Sequence, residues 1–496
     1  MMSLHKLSAE IGLTRIREEV DRSDQPTRWW GSGLAALGIA AGAEATDSQI
    51  RYLFGRGMHP NADAIIDDLM SQQLRIGVDI RCAIRYAMVQ ARLGQAFQKF
   101  AEEEFSFRRE CARGYAEWNA AMGRAEYATV PRAERTRIRL VVAKQMFEKE
   151  HGRPPRTDRE ISGWIHVASR PPRKATAGYE LRCHPVKSVS ALLAVAPMDV
   201  AEQIEAAHRA AVADALHYLE QFAAFTRIEG GTRQVRSDGL VALAVEHADS
   251  LAGDPSQHTH LFVANRVRRP DEQWGALDGR LIYRHNVAAS EVYNTRIEHH
   301  LEQRLGLVFL DRDAGATERP VREIAGVDPE LRRLWSRRHA QITSEVESRH
   351  DEFTVPSDIP TTPARTAKVM AHAALITRPE TYVRRSATDR RADWMREAST
   401  ALGGDNAVQK MIEGVLSQPA PSRAAIDSRW IAVRARQVAM IVARSHDPAQ
   451  PHHFRAEAER NLRGMIAPHH WPNLVVQVAD TATELHDSGP GRRRRA

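Results

Sequence analysis

The chain has 496 residues, 43% of them hydrophobic and 27% charged, a globular balance that excludes an intrinsically disordered protein and leaves room for about two to four domains. Its net charge of +7 comes from 70 Lys and Arg against 63 Asp and Glu, mostly as Arg, which suits a surface that meets phosphate groups. The three cysteines, Cys82, Cys111 and Cys183, are odd in number and form no CxxC pair, the opening residues carry charges throughout, and no apolar run is long enough for a bilayer; this excludes a disulfide framework, a signal peptide and a membrane span, and points to the cytoplasm.

In chain order, residues 2–7 read as a short strand and residues 8–20 as a helix. The stretch Trp29-Trp30-Gly31-Ser32-Gly33 reads as a turn, and residues 46–55 and 61–73 as short helices. Residues 88–170 are charged and helical, with Thr157 and Glu160 as a capping box, until Pro171-Pro172 breaks the run. Residues 178–196 hold a strand, a turn at Pro185 and an apolar segment. Asp199 and Glu202 then suggest a second capping box before a long amphipathic helix that reaches about Phe225 and is ended by Gly230-Gly231. Two apolar, β-rich runs follow, Leu240–Val245 and Leu261–Val267, joined by a loop containing Gly253-Asp254-Pro255, which is a hairpin pattern. A helix over Ala288–Leu305 and a strand over Val321–Ile324 complete an α+β layer with an antiparallel sheet and flanking helices. The rest is polar and helical. Pro356, Pro360 and Pro363 mark a linker, and a basic tail ends in Arg492–Arg495. No GxxxxGK[ST] loop occurs, which excludes a phosphate-loop ATPase within these residues.

The strongest chemical pattern is His247, ten residues, then His258-Thr259-His260. Alternate residues of a strand share a face, so His258 and His260 project together, and the hairpin brings His247 alongside. Three imidazoles without a fourth protein ligand leave coordination positions open, as catalytic metal sites do. His299-His300, His452-His453 and His469-His470 are adjacent pairs that read as solvated surface, and His5 reads as structural.

These residues resemble a known family. The segment GLVALAVEHADSLAGDPSQHTHLFVANRV (239–267) is similar to the metal hairpin of TrwC/TraI-type (MobF) conjugative relaxases, and GYELRCHPVKSVSALLAVAP (178–197) to the segment before it. RWWGSGLAALG (28–38), LFGRGMHP (53–60), QWGALDGRLIY (273–283) and RPVREIAGV (319–327) match further stretches in the same order. The resemblance covers most of residues 1–345 and weakens toward 480, with no helicase half. It implies a histidine-hydrophobic-histidine (HUH) endonuclease fold and metal-dependent nicking of DNA by transesterification, in which a tyrosine hydroxyl attacks phosphorus. It implies His247, His258 and His260 as ligands of a divalent cation, Mg2+ or Mn2+. Glu180 stands where the family has an Asp that orients a ligand histidine, and Lys187 would meet a DNA phosphate. The partner implied is single-stranded or hairpin DNA at an origin of transfer, with a separate helicase or other transfer proteins beside it.

The sequence departs from the family where the nucleophile belongs. Leu13 and Arg15 stand where relatives carry tyrosines, the stretch between Val20 and Trp29 is too short for a second pair, and the first tyrosine is Tyr52. Arg182-Cys183-His184 replace Thr-Phe-Ser, and Leu251 replaces an Arg. Three readings follow: a metal-dependent nickase with another nucleophile, a degenerate homologue that binds DNA and metal without cutting, and a three-histidine hydrolase of small phosphoesters. The expected domains are a relaxase-like domain over 1–345 with a helical insertion at about 88–172, a helical region over 346–486, and a disordered basic tail over 487–496.

Overall fold

The structure is a computed structural model describing residues 2–97, 106–125, 128–169, 175–312, 321–348, 369–370, 372–374, 376–378 and 385–488. The Pro171-Pro172 break, the linker prolines and the tail from residue 489 lie outside the described residues. The chain forms two compact units, one of Met1–Leu7, Ile11–Ala96 and Ala177–Ala496, the other of Ser8–Glu10 and Phe97–Thr176.

The larger unit begins with β1 (Met2–Ser8), α1 (Gly12–Arg22), β2 (Arg28–Trp30), α2 (Asp47–Ile50), α3 (Ala62–Arg75) and α4 (Ile80–Gln90). The smaller unit is helical, with α5 (Ser106–Ala121), α6 (Arg132–His151) and α7 (Asp158–Ala168) around Phe107, Cys111, Phe147 and Ile161. The hydroxyl of Thr157 accepts from the Glu160 backbone N–H at 3.1 Å and so caps α7, but the expected reciprocal bond of a capping box is absent: the Glu160 carboxylate accepts from Arg153 and the Arg156 N–H instead.

The larger unit resumes with β3 (Thr176–Cys183), α8 (Lys187–Val195), α9 (Met198–Ala223), β4 (Phe225–Ile228), β5 (Arg233–Arg236), β6 (Ala242–Asp249), β7 (Pro255–Ala264), β8 (Val267–Arg268), β9 (Trp274–Gly275) and α10 (Gly279–Leu305). It continues through β10 (Phe309–Arg312), β11 (Val321–Ile324), α11 (Pro329–Leu334) and α12 (Arg337–Ser348). It ends in α13 (Ala387–Leu402), α14 (Asp405–Leu416), α15 (Ser428–Ser445), α16 (Pro451–Leu462) and α17 (Asn473–Asp487). The central sheet has the order β1-β3-β7-β6-β2, and β3, β7, β6 and β2 pair antiparallel. This is the antiparallel sheet with flanking helices expected from the sequence. No described helix is long and apolar enough to cross a membrane.

Alternation divides the sheet into two faces. Tyr179, Leu181, Ala242, Ala244, Leu261 and Val263 are buried in one core with α8, α9 and α10. Leu243, Val245, Phe262 and Ala264 are buried on the other face with Ile16 of α1, Trp29 and Phe54. Each fully buried side chain of this size contributes about 1.5–3 kcal/mol, so both faces are anchored. Gly31 shows how closely the covering layer sits. Its φ is +106°, and a Cβ there would lie 2.2 Å from the Leu240 carbonyl oxygen.

Several local expectations change. Helix α9 starts at Met198 with Pro197 as its cap and no side-chain cap bond, so Asp199 and Glu202 do not form a capping box; proline's fixed φ begins the helix instead. Gly230 and Gly231, with φ of 67° and 95°, lie between β4 and β5, after the helix has ended at Ala223. Arg28–Trp30 is an edge strand rather than a turn, and α10 begins at Gly279 rather than Ala288.

Candidate metal centre

The hairpin β6–β7 places the histidines through its register. His247 lies opposite His258 and Val245 opposite His260, so all three imidazoles leave the same face as Leu243, Val245 and Phe262. Their ring centroids form a near-equilateral triangle with sides of 5.0, 5.1 and 5.2 Å. One nitrogen from each lies within 4.8 Å of the others, and among the described residues this is the one group of three or more His, Cys, Asp or Glu side chains arranged to hold a metal ion. All three are buried.

Hydrogen bonds orient two of the rings. His260 Nδ1 lies 2.6 Å from Glu180 Oε1, and His258 Nδ1 lies 2.7 Å from the Ser256 carbonyl oxygen. Both partners are acceptors, so Nδ1 carries the proton and Nε2 keeps its lone pair, the tautomer a metal ligand needs. Burial lowers the His260 pKa to about 4, with the Glu180 hydrogen bond opposing it, and burial holds His258 well below its usual value. Those two rings are therefore neutral at pH 7. The donor set fits a divalent cation, and the buried His247 Nε2, which makes no hydrogen bond, is a further sign of a missing partner.

Strand β3 supplies Glu180, which pairs across from Phe262 and so shares the histidine face. Arg182 Nε donates to Glu180 Oε1 at 2.7 Å, and an Arg15 guanidinium nitrogen lies 3.3 Å from the same oxygen. Burial alone would raise the Glu180 pKa, but its hydrogen bonds to His260 and Arg182 outweigh that and hold it far below the usual carboxylate range. Lys187, at the start of α8, donates to the Pro255 carbonyl at 2.7 Å and so ties down the turn of the metal hairpin. Burial lowers its pKa to about 8.

Helix α1 presents what the sequence reading missed. Its buried positions are Gly12, Ile16 and Glu19, one stripe of the helix. Glu19 is 1% exposed, and its Oε2 stands 3.3 Å from His247 Nε2 and 3.7 Å from His260 Nε2. Arg15 pairs with Glu19, and Arg22 does so at 2.7 Å. The signal was present in the sequence: a carboxylate in phase with the apolar stripe of an amphipathic helix. Leu13 packs into the apolar core below, and Arg15 is bound to carboxylates.

The substitutions beside the centre also have places. His184 stacks on His258 with centroids 4.6 Å apart. Tyr179 lies on the opposite face of the sheet, edge-on to Tyr283, and the Tyr52 hydroxyl is engaged by Asp63. Tyr127 and Tyr382 lie outside the described residues. A cavity of about 220 Å3 reaches His247 and is lined also by Arg22, Glu246, Asp249, Arg390 and Trp394.

Three histidines on one face of an antiparallel sheet, one of them bonded to a carboxylate from the neighbouring strand, have the donor set of a metal centre. The family model described as TrwC relaxase matches residues 18–401, and the chain belongs to that family. Among solved structures it is similar to a conjugative relaxase TrwC in complex with OriT DNA in metal-free form, at 19% identity over 84% of this chain and 99% of that one, with a TM-score of 0.45. A metal-bound form of that complex aligns at 20% identity over 84% and 99%, with a TM-score of 0.46. A complex with mutant OriT DNA aligns at 20% over 81% and 98%, with a TM-score of 0.47. The comparison with curated proteins gives no match.

Proposed function

We propose that this protein handles DNA in the manner of a conjugative relaxase, holding one divalent cation, Mg2+ or Mn2+, through His247, His258 and His260 against a phosphodiester of single-stranded or hairpin origin-of-transfer DNA. The observation that carries this reading is the triad itself, with His258 and His260 turned so that Nε2 faces the shared centre. When bound, the cation would neutralise charge on the non-bridging oxygens of the phosphate. Glu180 orients His260, and Arg182 and Arg15 hold Glu180 in place. Lys187 fixes the hairpin turn and has two further ammonium donors for a phosphate. With reduced, separate cysteines and a DNA substrate, the protein works in the cytoplasm, with a separate helicase or transfer proteins as partners.

A second reading, in which the protein binds DNA and metal without cutting, is favoured by α1: Glu19, not a hydroxyl, is the side chain that faces the triad. A labelled oligonucleotide carrying an origin hairpin, incubated with protein and Mn2+ and run on native and denaturing gels, tests both. The reading expects metal-dependent binding that is lost in the His258→Ala variant, and no denaturation-resistant protein–DNA band. Metal-independent binding would contradict the role of the triad. An adduct abolished by changing one tyrosine to Phe would show a working tyrosine relaxase.

A further inference from the structure

We propose that Glu19 is a fourth protein ligand of the metal held by the three histidines, so that helix α1 closes the coordination sphere. The inference rests on the triad being a metal centre, as read above, and adds a carboxylate that the histidine pattern does not contain. Four observations carry it.

First, Glu19 is buried in the apolar stripe of α1 beside the fully buried Ile16. A carboxylate there is costly unless cations surround it. Arg15 and Arg22 supply two, both from the same helix.

Second, the remaining approach to the carboxylate is toward the imidazoles. Oε2 is 3.3 Å from His247 Nε2 and 3.7 Å from His260 Nε2. Ligands at about 2.1 Å stand about 3.0 Å from their neighbours in an octahedron and about 3.4 Å in a tetrahedron. The carboxylate therefore sits at ligand-to-ligand spacing from both rings.

Third, these contacts are not hydrogen bonds that explain themselves. His247 Nε2 is buried and meets the Glu19 oxygen at 3.3 Å without hydrogen-bond geometry. His260 Nδ1 is committed to Glu180, so Nε2 is the nitrogen left toward the Glu19 oxygen. A cation between the two ring nitrogens and the carboxylate oxygen would bond to all three.

Fourth, the supporting shell is complete. The Arg15 guanidinium spans Glu19 and Glu180, joining the carboxylate on α1 to the one that orients His260. A direct chemical consequence follows. A sphere of three imidazoles and one carboxylate leaves fewer exchangeable positions than three imidazoles alone, so a DNA phosphate would compete with water for those that remain.

The test uses the full chain, metal-free, titrated with Mn2+, comparing the native protein with Glu19→Gln and Glu19→Asp. Calorimetry reads affinity, and water-proton relaxation reads the rapidly exchanging waters on the metal. The Gln variant preserves shape and keeps one oxygen acceptor for the arginines, and circular dichroism checks folding. The expected result is one Mn2+ per native chain, an affinity loss of about 10–100-fold for Glu19→Gln, and more exchangeable water in that variant, with Glu19→Asp intermediate. Equal affinity and equal relaxation in native protein and Glu19→Gln would overturn the inference and leave the three-histidine centre standing. Absence of binding in all three would overturn both. Should Glu19→Gln fail to fold, Glu19→Asp decides: weaker Mn2+ binding with more exchangeable water supports the inference, and native affinity with native relaxation overturns it.

Discussion

At the scale of single residues, the centre depends on carboxylates that do not belong to the histidine pattern. Glu180 accepts the hydrogen bond from His260 Nδ1–H at 2.6 Å. Glu180→Ala should therefore lower Mn2+ affinity by about 10–100-fold while leaving the fold intact, as loss of an orienting partner does in other metal sites; unchanged calorimetric affinity would show that the ring is held by packing alone. A second residue, His208 of α9, acts from behind the sheet. Its Nε2 lies 2.8 Å from the Thr259 hydroxyl, between the two ligands of β7, and its Nδ1 lies 3.0 Å from the Tyr293 hydroxyl. Burial lowers its pKa from 6.5 to about 3. Between those values the unfolded chain binds a proton that the folded chain refuses, so stability falls as pH is lowered through that window, by up to about 1.4 kcal/mol per pH unit from this group. Urea unfolding at pH 7 and pH 4.5 should show a smaller acid loss in His208→Gln than in the native protein; an identical loss would assign the effect to other groups.

At the scale of elements, the legible parts were those whose pattern is local. The hairpin β6–β7 could be read because β-rich runs flank a Gly-Asp-Pro loop, and the His-x-His phase followed from strand alternation alone. Tyr179 falls on the far face of the sheet by the same rule. Less legible were features decided by tertiary contacts. Three residues of β2 become a strand only because β6 offers them an edge, and the Asp199–Glu202 pattern loses to Pro197 as the start of α9. Glu19 was hidden because a lone Glu on a charged helix looks solvated until the helix's buried stripe is known. That stripe gives α1 its place: Ile16 is 0% exposed and packs on the histidine face of the sheet. Ile16→Ala should cost about 2–5 kcal/mol in chemical denaturation. By loosening α1 it should also weaken Mn2+ binding, whereas a mere cavity would leave metal affinity unchanged.

For the whole molecule, the family match over residues 18–401 places the chain among TrwC relaxases, and its own residues set what it can do within that family. With a net charge of +7 and an Arg-rich surface, binding to single-stranded or hairpin DNA should weaken steeply as salt rises, because phosphate contacts release counterions; a flat salt response in a fluorescence titration would contradict a phosphate-directed interface. The decisive measurement is elemental analysis of the full chain after loading with Mn2+ and desalting, beside the His258→Ala/His260→Ala double variant. One equivalent in the native protein and essentially none in the double variant is the predicted result. Equal occupancy in both would contradict the account.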